Sequence, residues 1–167
     1  MNKKYIPFGV TAALVLLFDQ ATKIYIDASM PLHDSFSVIP GFFSITHVRN
    51  PGAAFGFLAG ASPLFRNVFF VGVTMAAILL ILHYVRTNKS EERLLTLSLS
   101  LILSGAVGNL IDRIRFGEVI DFLDVYVGSH HWPAFNVADS AISVGAVILF
   151  VELVRQGRER NTDPKRS

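Results

Sequence analysis

The sequence contains no cysteine, which removes disulfides, thiol nucleophiles and zinc-thiolate sites together and argues against a membrane thiol oxidoreductase. It has no HExxH segment, so a zinc metalloprotease of that type is excluded. No GxSxG nucleophile elbow occurs, and the serines between residues 94 and 111 have no histidine partner at their depth. The GxGD signature of presenilin-like proteases is also missing. The histidines, His33, His47, His83, His130 and His131, show no helical pair at metal-ligand spacing; the adjacent His130 and His131 fall in a loop and read as interfacial. No metal and no cofactor are expected. Of the usual hydrolytic groups, carboxylates remain.

What the chain has in quantity is apolar sequence. Hydrophobic residues make up 51% of 167, a length that suits one domain. Runs at 5–26, 64–85, 94–111 and 137–154 each match the ~17–25 residues that cross the hydrocarbon layer as a helix. A helix satisfies its own backbone polar groups in lipid, whereas an isolated strand does not. The expected fold class is therefore a membrane all-α protein, a four-transmembrane-helix bundle, with residues 1–167 forming a single integral membrane domain. Its outer loops would be 27–63 and 115–136.

Net charge is only +2, but the positive residues are unevenly placed. Lys3 and Lys4 lie at the start, Arg86, Lys89 and Arg93 between the second and third runs, and Arg155, Arg158, Arg160, Lys165 and Arg166 at the end. The positive-inside rule puts all three groups, and so both termini, in the cytoplasm. A basic tail also raises nucleic-acid binding, but four spans leave no fold for it, and no nucleic-acid partner is expected. The pattern of Lys3 and Lys4 before apolar residues 6–18 imitates a cleavable leader. Asp19, Gln20 and Lys23 stand where a small-residue cleavage site belongs, so a retained first helix is expected.

Asp19 and Lys23 are four residues apart, acid before base, the orientation that favours pairing on one helical face. Short runs at 36–39 and 42–48 favour strands, bounded by Pro40-Gly41 and Asn50-Pro51-Gly52. They predict a small sheet on the outer surface. The GAAFGFL segment (52–58) is small enough for close approach of another chain, while Asn50 reads either as turn chemistry or as a donor to a peptide backbone. The second run reads as scaffold, with His83 interfacial. The third is rich in small residues, Ser98, Ser100, Ser104, Gly105 and Gly108, and the Ser104/Gly108 spacing permits close helix packing. Asn109, Asp112 and Arg113 follow on one side; they read either as an Asp112 to Arg113 charge pair over a buried polar cluster or as substrate contacts.

Residues 117–143 hold the remaining acids. The 119–124 segment, VIDFLD, alternates poorly and fits a strand or a half-buried turn, and Tyr126 and Trp132 belong at the membrane interface. Asn136 reads as an N-cap of the fourth helix, with Asp139 three residues on in a capping-box-like position. A carboxylate at the mouth of a span is also costly, which marks it as functional. Two carboxylates held together at low dielectric share a proton: the ionised one takes a proton from water, while the protonated one polarises a carbonyl and later protonates the leaving nitrogen. Asp139 would be one member; spacing alone leaves Asp121 and Asp124 open as the other.

Five blocks carry a family resemblance: DQATK (19–23), NPGAAF (50–55), GNLIDR (108–113), VIDF (119–122) and FNVADSAI (135–142). In that order they resemble lipoprotein signal peptidase, the signal peptidase II family of membrane aspartic peptidases, across most of the chain. The resemblance implies four spans with cytoplasmic termini, a small extracytoplasmic sheet that cradles substrate, and a site near the outer face of a bacterial inner membrane. It selects Asp121 over Asp124 and implies Asp121 and Asp139 as the catalytic pair. Asn50, Gly52, Asn109, Arg113 and Asn136 would line the substrate site, with Asp19, Lys23, Gly105 and Asp112 in support. The substrate it implies is a prolipoprotein signal peptide, cut just before a diacylglyceryl-modified cysteine. Membrane lipids, globomycin-type inhibition and a monomeric enzyme are expected with it. The alternative is a non-catalytic membrane factor that holds a signal helix or a lipid.

Overall fold

The computed structural model describes residues 4–52, 58, 60–87 and 92–162, with side chains described to residue 158. Most of the GAAFGFL segment, together with Lys3, Lys89, Lys165, Arg166 and the side chain of Arg160, lies outside them. The elements are α1 (Tyr5–Ser29), β1 (Ser35–Ile39), β2 (Phe43–Asn50), α2 (Pro63–Thr87), α3 (Arg93–Phe116), β3 (Val119–Val127), β4 (His130–His131) and α4 (Val137–Thr162). All four helices are long and apolar enough to cross a membrane.

The helices outrun the apolar runs that predict them, because an apolar run marks what lipid can cover and not where hydrogen bonding stops. The clearest case is α3, expected to end near residue 111. It continues through Asp112 and Arg113 to Phe116, where Gly117 adopts a left-handed conformation (φ 76°) and its N–H returns to the Arg113 carbonyl. The extra turn brings the polar residues of GNLIDR under the sheet.

α3 is the central helix, packed on α4, α1 and α2. Its small residues make this possible. A Cβ on Gly105 would lie 2.3 Å from the Ala138 carbonyl of α4, and one on Gly108 would lie 2.5 Å from the Asp19 carboxylate of α1. Close approach therefore runs through Gly108, one member of the predicted Ser104/Gly108 pair, and through Gly105, answered from α4 by Gly145 against the Ser98 carbonyl. The hydroxyls of Ser98, Ser100 and Ser104 turn back onto carbonyls of their own helix. Their donors are satisfied without a partner helix.

Gly105→Ala is expected to destabilise the fold by about 1–3 kcal/mol, since the obstructing atom is backbone and cannot rotate away. It is expected to lower activity too, because Ala138 sits in the first turn of α4 between Asn136 and Asp139. Thermal unfolding and cleavage assays in the same detergent check both effects.

The sheet is larger than the sequence suggests. β1 and β2 form the expected hairpin, but the antiparallel order β1-β2-β3-β4 takes two strands from the second loop. Poor alternation in 119–124 has a simple cause: Val119 to Phe122 are buried at every position, so both faces are covered. Ile120 and Phe122 cluster with Ile26 of α1 and with Ile45 and Val137. At the opposite end of the bundle, Phe8, Val85, Leu95 and Leu99 pack together. Of the described basic residues, Lys4, Arg86, Arg93, Arg155 and Arg158 belong to that end, while Lys23, Arg49, Arg66, Arg113 and Arg115 lie toward the sheet.

Candidate functional site

Two features of the chain bring Asp121 and Asp139 together. First, Phe135 is stitched to β3: its carbonyl accepts the Phe122 and Leu123 N–H groups, and its own N–H donates to the Leu123 carbonyl. That fixes where α4 starts. Second, the first turn of α4 is capped from two sides. The Asn136 Oδ1 accepts the Asp139 N–H at 2.8 Å, the Asp139 Oδ2 accepts the Asn136 N–H at 3.3 Å, and the Asp19 Oδ1 accepts the Ala138 N–H at 2.8 Å. The capping box is thus present, and it does not compete with a chemical role, because it occupies only one oxygen of Asp139.

Each oxygen of the pair accepts one hydrogen bond from an amide. The Asn50 Nδ2 donates to Asp121 Oδ2 at 2.9 Å, and the Asn136 Nδ2 to Asp121 Oδ1 at 2.7 Å. The Asn109 Nδ2 donates to Asp139 Oδ1 at 2.7 Å, and the Asn136 backbone to Oδ2. All of these donors are uncharged, so they orient both carboxyls without forcing both to ionise. Asp121 is 1% exposed, whereas Asp139 is half-buried and faces a groove. Burial, reinforced by the neighbouring Asp139 carboxylate, pushes the Asp121 carboxyl up from 3.8 to about 7; the amides of Asn50 and Asn136 and the Lys23 ammonium pull the other way.

Beneath the pair lies a second layer. Lys23 Nζ is 3.0 Å from Asp19 Oδ2 and 2.9 Å from Asp112 Oδ2, and it donates to Asn109 Oδ1 at 2.9 Å; all three ion-pair side chains are fully buried. Asp112 therefore pairs with Lys23 and not with its neighbour Arg113, which corrects the charge-pair reading; it also accepts the Ile120 N–H, next to Asp121. Gln20, which the sequence reading left without a role, donates within reach of Asp19, the Gly108 carbonyl and Asp112. Its sequence signal is its place beside Asp19 in the DQATK block.

Arg113 instead reaches the loop after β2, donating from Nη2 to the Gly52 carbonyl at 3.2 Å. Asn50 makes the turn contact expected of it, its Oδ1 accepting the Gly52 N–H at 3.0 Å, and its amide donates to the Asp121 carboxylate, a contact the sequence does not suggest. The groove has a volume of about 750 Å³ and is lined by Asn50, Gly52, Asn109, Arg113 and Asp139, with apolar walls from α2 and α4. Asp121 sits behind that lining. Gly105 lies in the α3/α4 contact, against Ala138 and Ile142.

Asp124 is elsewhere. Three residues along a strand from Asp121, it falls on the other face. Its carboxylate lies 2.9 Å from the exposed His131 Nδ1, and His131 stacks on Tyr126.

The geometry has close counterparts. The family profile described as Signal peptidase (SPase) II matches residues 11–155. A lipoprotein signal peptidase of Syntrophus aciditrophicus is 56% identical over 161 residues, covering 96% of this chain and 100% of that one. One from Geobacter metallireducens is 52% identical over 163 residues, covering 98% and 99%. Among solved structures, a bacterial membrane enzyme superposes with a TM-score of 0.83 at 34% identity, over 92% of this chain and 91% of that one. With the profile matched across all four helices and the relatives aligned nearly end to end, the chain belongs to the signal peptidase II family.

Proposed function

We propose that Asp121 and Asp139 are the catalytic pair of this multi-pass membrane peptidase, which cleaves the signal peptide from prolipoproteins. The observation that carries the assignment is the four uncharged donors shared between two carboxyls at the wall of a groove. The deeper Asp121 keeps the proton and polarises the scissile carbonyl. Asp139, open to the groove, is ionised and takes a proton from the attacking water. Asp121 then gives its proton to the leaving nitrogen. Asn50, Asn109 and Asn136 hold the two carboxyls in register; Gly52 and Arg113 offer contacts to the extended residues of the precursor, which the sheet steadies by strand-like pairing. Asp19, Lys23, Gly105 and Asp112 keep the layer below in place.

The cut falls just before the lipid-modified cysteine, with the lipid chains left in the membrane. The enzyme works as a monomer at the outer face of the bacterial inner membrane, with both termini cytoplasmic. Supporting that orientation, ten of the fifteen Lys and Arg residues fall in the N-terminus, the segment between the second and third helices and the C-terminus, the distribution that the positive-inside rule associates with the cytoplasmic side. Globomycin-type cyclic peptides compete for the same groove. A purely binding role predicts precursor co-purifying with the protein and no product. The family and the named relatives favour the peptidase instead. The deciding experiment is a gel-shift assay of one purified, lipidated precursor, where absence of product with the parent enzyme would sink the proposal.

A pH profile tests the proton assignment. Once Asp121 loses its proton the pair has no acid, so cleavage is expected to fall as pH rises through about 7. Stability moves in the same direction. Between the unfolded-chain value of 3.8 and about 7, the native state holds a proton that the unfolded chain has released, so stability falls as pH rises across that window. Melting temperatures measured across it are expected to decline, and Asp121→Asn is expected to flatten the decline.

A further inference from the structure

The second helix reads in the sequence as scaffold, yet Phe70 of α2 turns its ring toward the site. The Arg113 guanidinium lies over that ring, 5.0 Å from its centroid, and both residues line the groove. From Arg113 a chain of contacts runs to the catalytic pair: Nη2 donates to the Gly52 carbonyl, the Gly52 N–H donates to Asn50, and the Asn50 amide donates to Asp121.

What holds Arg113 matters for what it can offer. Among the described residues no carboxylate forms a salt bridge with it, although Asp112 is its neighbour in sequence, because Asp112 is committed to Lys23. A carboxylate would both neutralise the guanidinium and consume two of its in-plane donors. An aromatic face holds the cation through its quadrupole and leaves the in-plane N–H groups unspent. One of those donors is used on Gly52. The others remain for a ligand in the groove.

We infer that Phe70 is a positioning residue for cleavage, its ring face holding the Arg113 guanidinium at the groove wall, still charged and able to donate to the backbone carbonyls of a bound precursor. This rests on the site reading above. It differs from simple packing in one respect: the ring's negative face matters, and not only its volume.

The test uses the full-length enzyme and a lipidated precursor. Phe70 is replaced by mono-, di- and trifluorinated phenylalanine, which weaken the quadrupole at nearly constant shape, and by Leu and Trp. A graded fall in kcat/KM is expected, reaching about 10-fold with trifluorophenylalanine and with Phe70→Leu, a loss equivalent to about 1.4 kcal/mol and within the range of a partly desolvated cation–π contact. It is expected as a rise in KM, with kcat and melting temperature little changed along the fluorinated series. Phe70→Trp is expected to match or exceed the parent. A flat fluorination series, or Phe70→Leu equal to the parent, overturns the assignment. Asp121→Asn and Asp139→Asn are assayed alongside: if they stay active, the site reading itself falls; if they are inactive while the fluorinated series is flat, only the role of Phe70 does.

Discussion

Asp121→Asn and Asp139→Asn are each expected to reduce cleavage of a lipidated precursor by about 10³-fold, the scale of a lost general acid or base, while Asp124→Asn stays near the parent rate. The substitution is isosteric but chemically complete, since an amide can neither take a proton from water nor deliver one to the leaving nitrogen. The hydrogen-bond pattern adds a second effect. Both oxygens of Asp121 accept from amides, Asn50 and Asn136, so a replacing amide must set its own NH₂ against one donor. The same holds at Asp139 between Asn109 and the Asn136 backbone. An unmade buried hydrogen bond costs about 1–3 kcal/mol, so some stability is lost with the chemistry. Precursor binding separates the two: an inactive variant that still binds precursor and melts cooperatively has lost the reaction and not the fold. Asp124 is the control because its carboxylate faces the exposed His131 on the other side of the strand. Full activity in either dyad variant would end the assignment.

Lys23→Met is expected to be the most destabilising single change in the layer beneath, by about 3–5 kcal/mol, because it leaves two buried carboxylates without their cation. Asp19 and Asp112 cannot simply relax toward solvent. Asp19 also caps the Ala138 N–H at the start of α4, and Asp112 holds the Ile120 N–H of β3. Their repulsion would therefore act on the two segments that carry Asp139 and Asp121. Thermal unfolding in detergent measures the loss, and Arg49→Met serves as comparison. Arg49 pairs with Asp27, which is 35% exposed, and an exposed pair of this kind contributes about 1 kcal/mol or less. Equal effects at Lys23 and Arg49 would show that the buried triad does not hold the site together. Partial rescue of Lys23→Met by Asp112→Asn would show the opposite.

The two acids illustrate how far local pattern reaches. Asp139 was legible as a helix-cap residue from its spacing to Asn136, and the capping box is there. That it also presents an oxygen to Asn109 depends on α3 passing close by, which no local pattern encodes. Asp121 could not be separated from Asp124 by spacing, because 119–124 lacks the alternation that reveals a strand. The alternation is missing because the segment is covered on both faces, in part by Ile26, Ile45 and Val137 from other elements. Adjacency in sequence left an Asp112 to Arg113 pair open beside a substrate contact, and the structure removes the pair, because neighbours in a helix do not face each other. Lys23, far away in sequence on α1, is the partner of Asp112.

The sequence by itself determined the class of molecule: the lengths of four apolar runs dictate membrane-crossing helices, the lack of cysteine and of metal or serine motifs narrows the chemistry to carboxylates, and the ordered blocks identify the family. These are properties of composition and short spacing, which survive without knowledge of the fold. Tertiary structure alone decided which groups meet. Gly105 and Gly108 let α3 approach α4 and α1 closely, the Phe135 backbone locks the start of α4 to β3, and only then do Asn50, Asn109 and Asn136, from three separate parts of the chain, converge on the same two carboxyls. Hydrogen bonds act over about 3 Å and are blind to sequence separation, so the site exists only once the packing has been made.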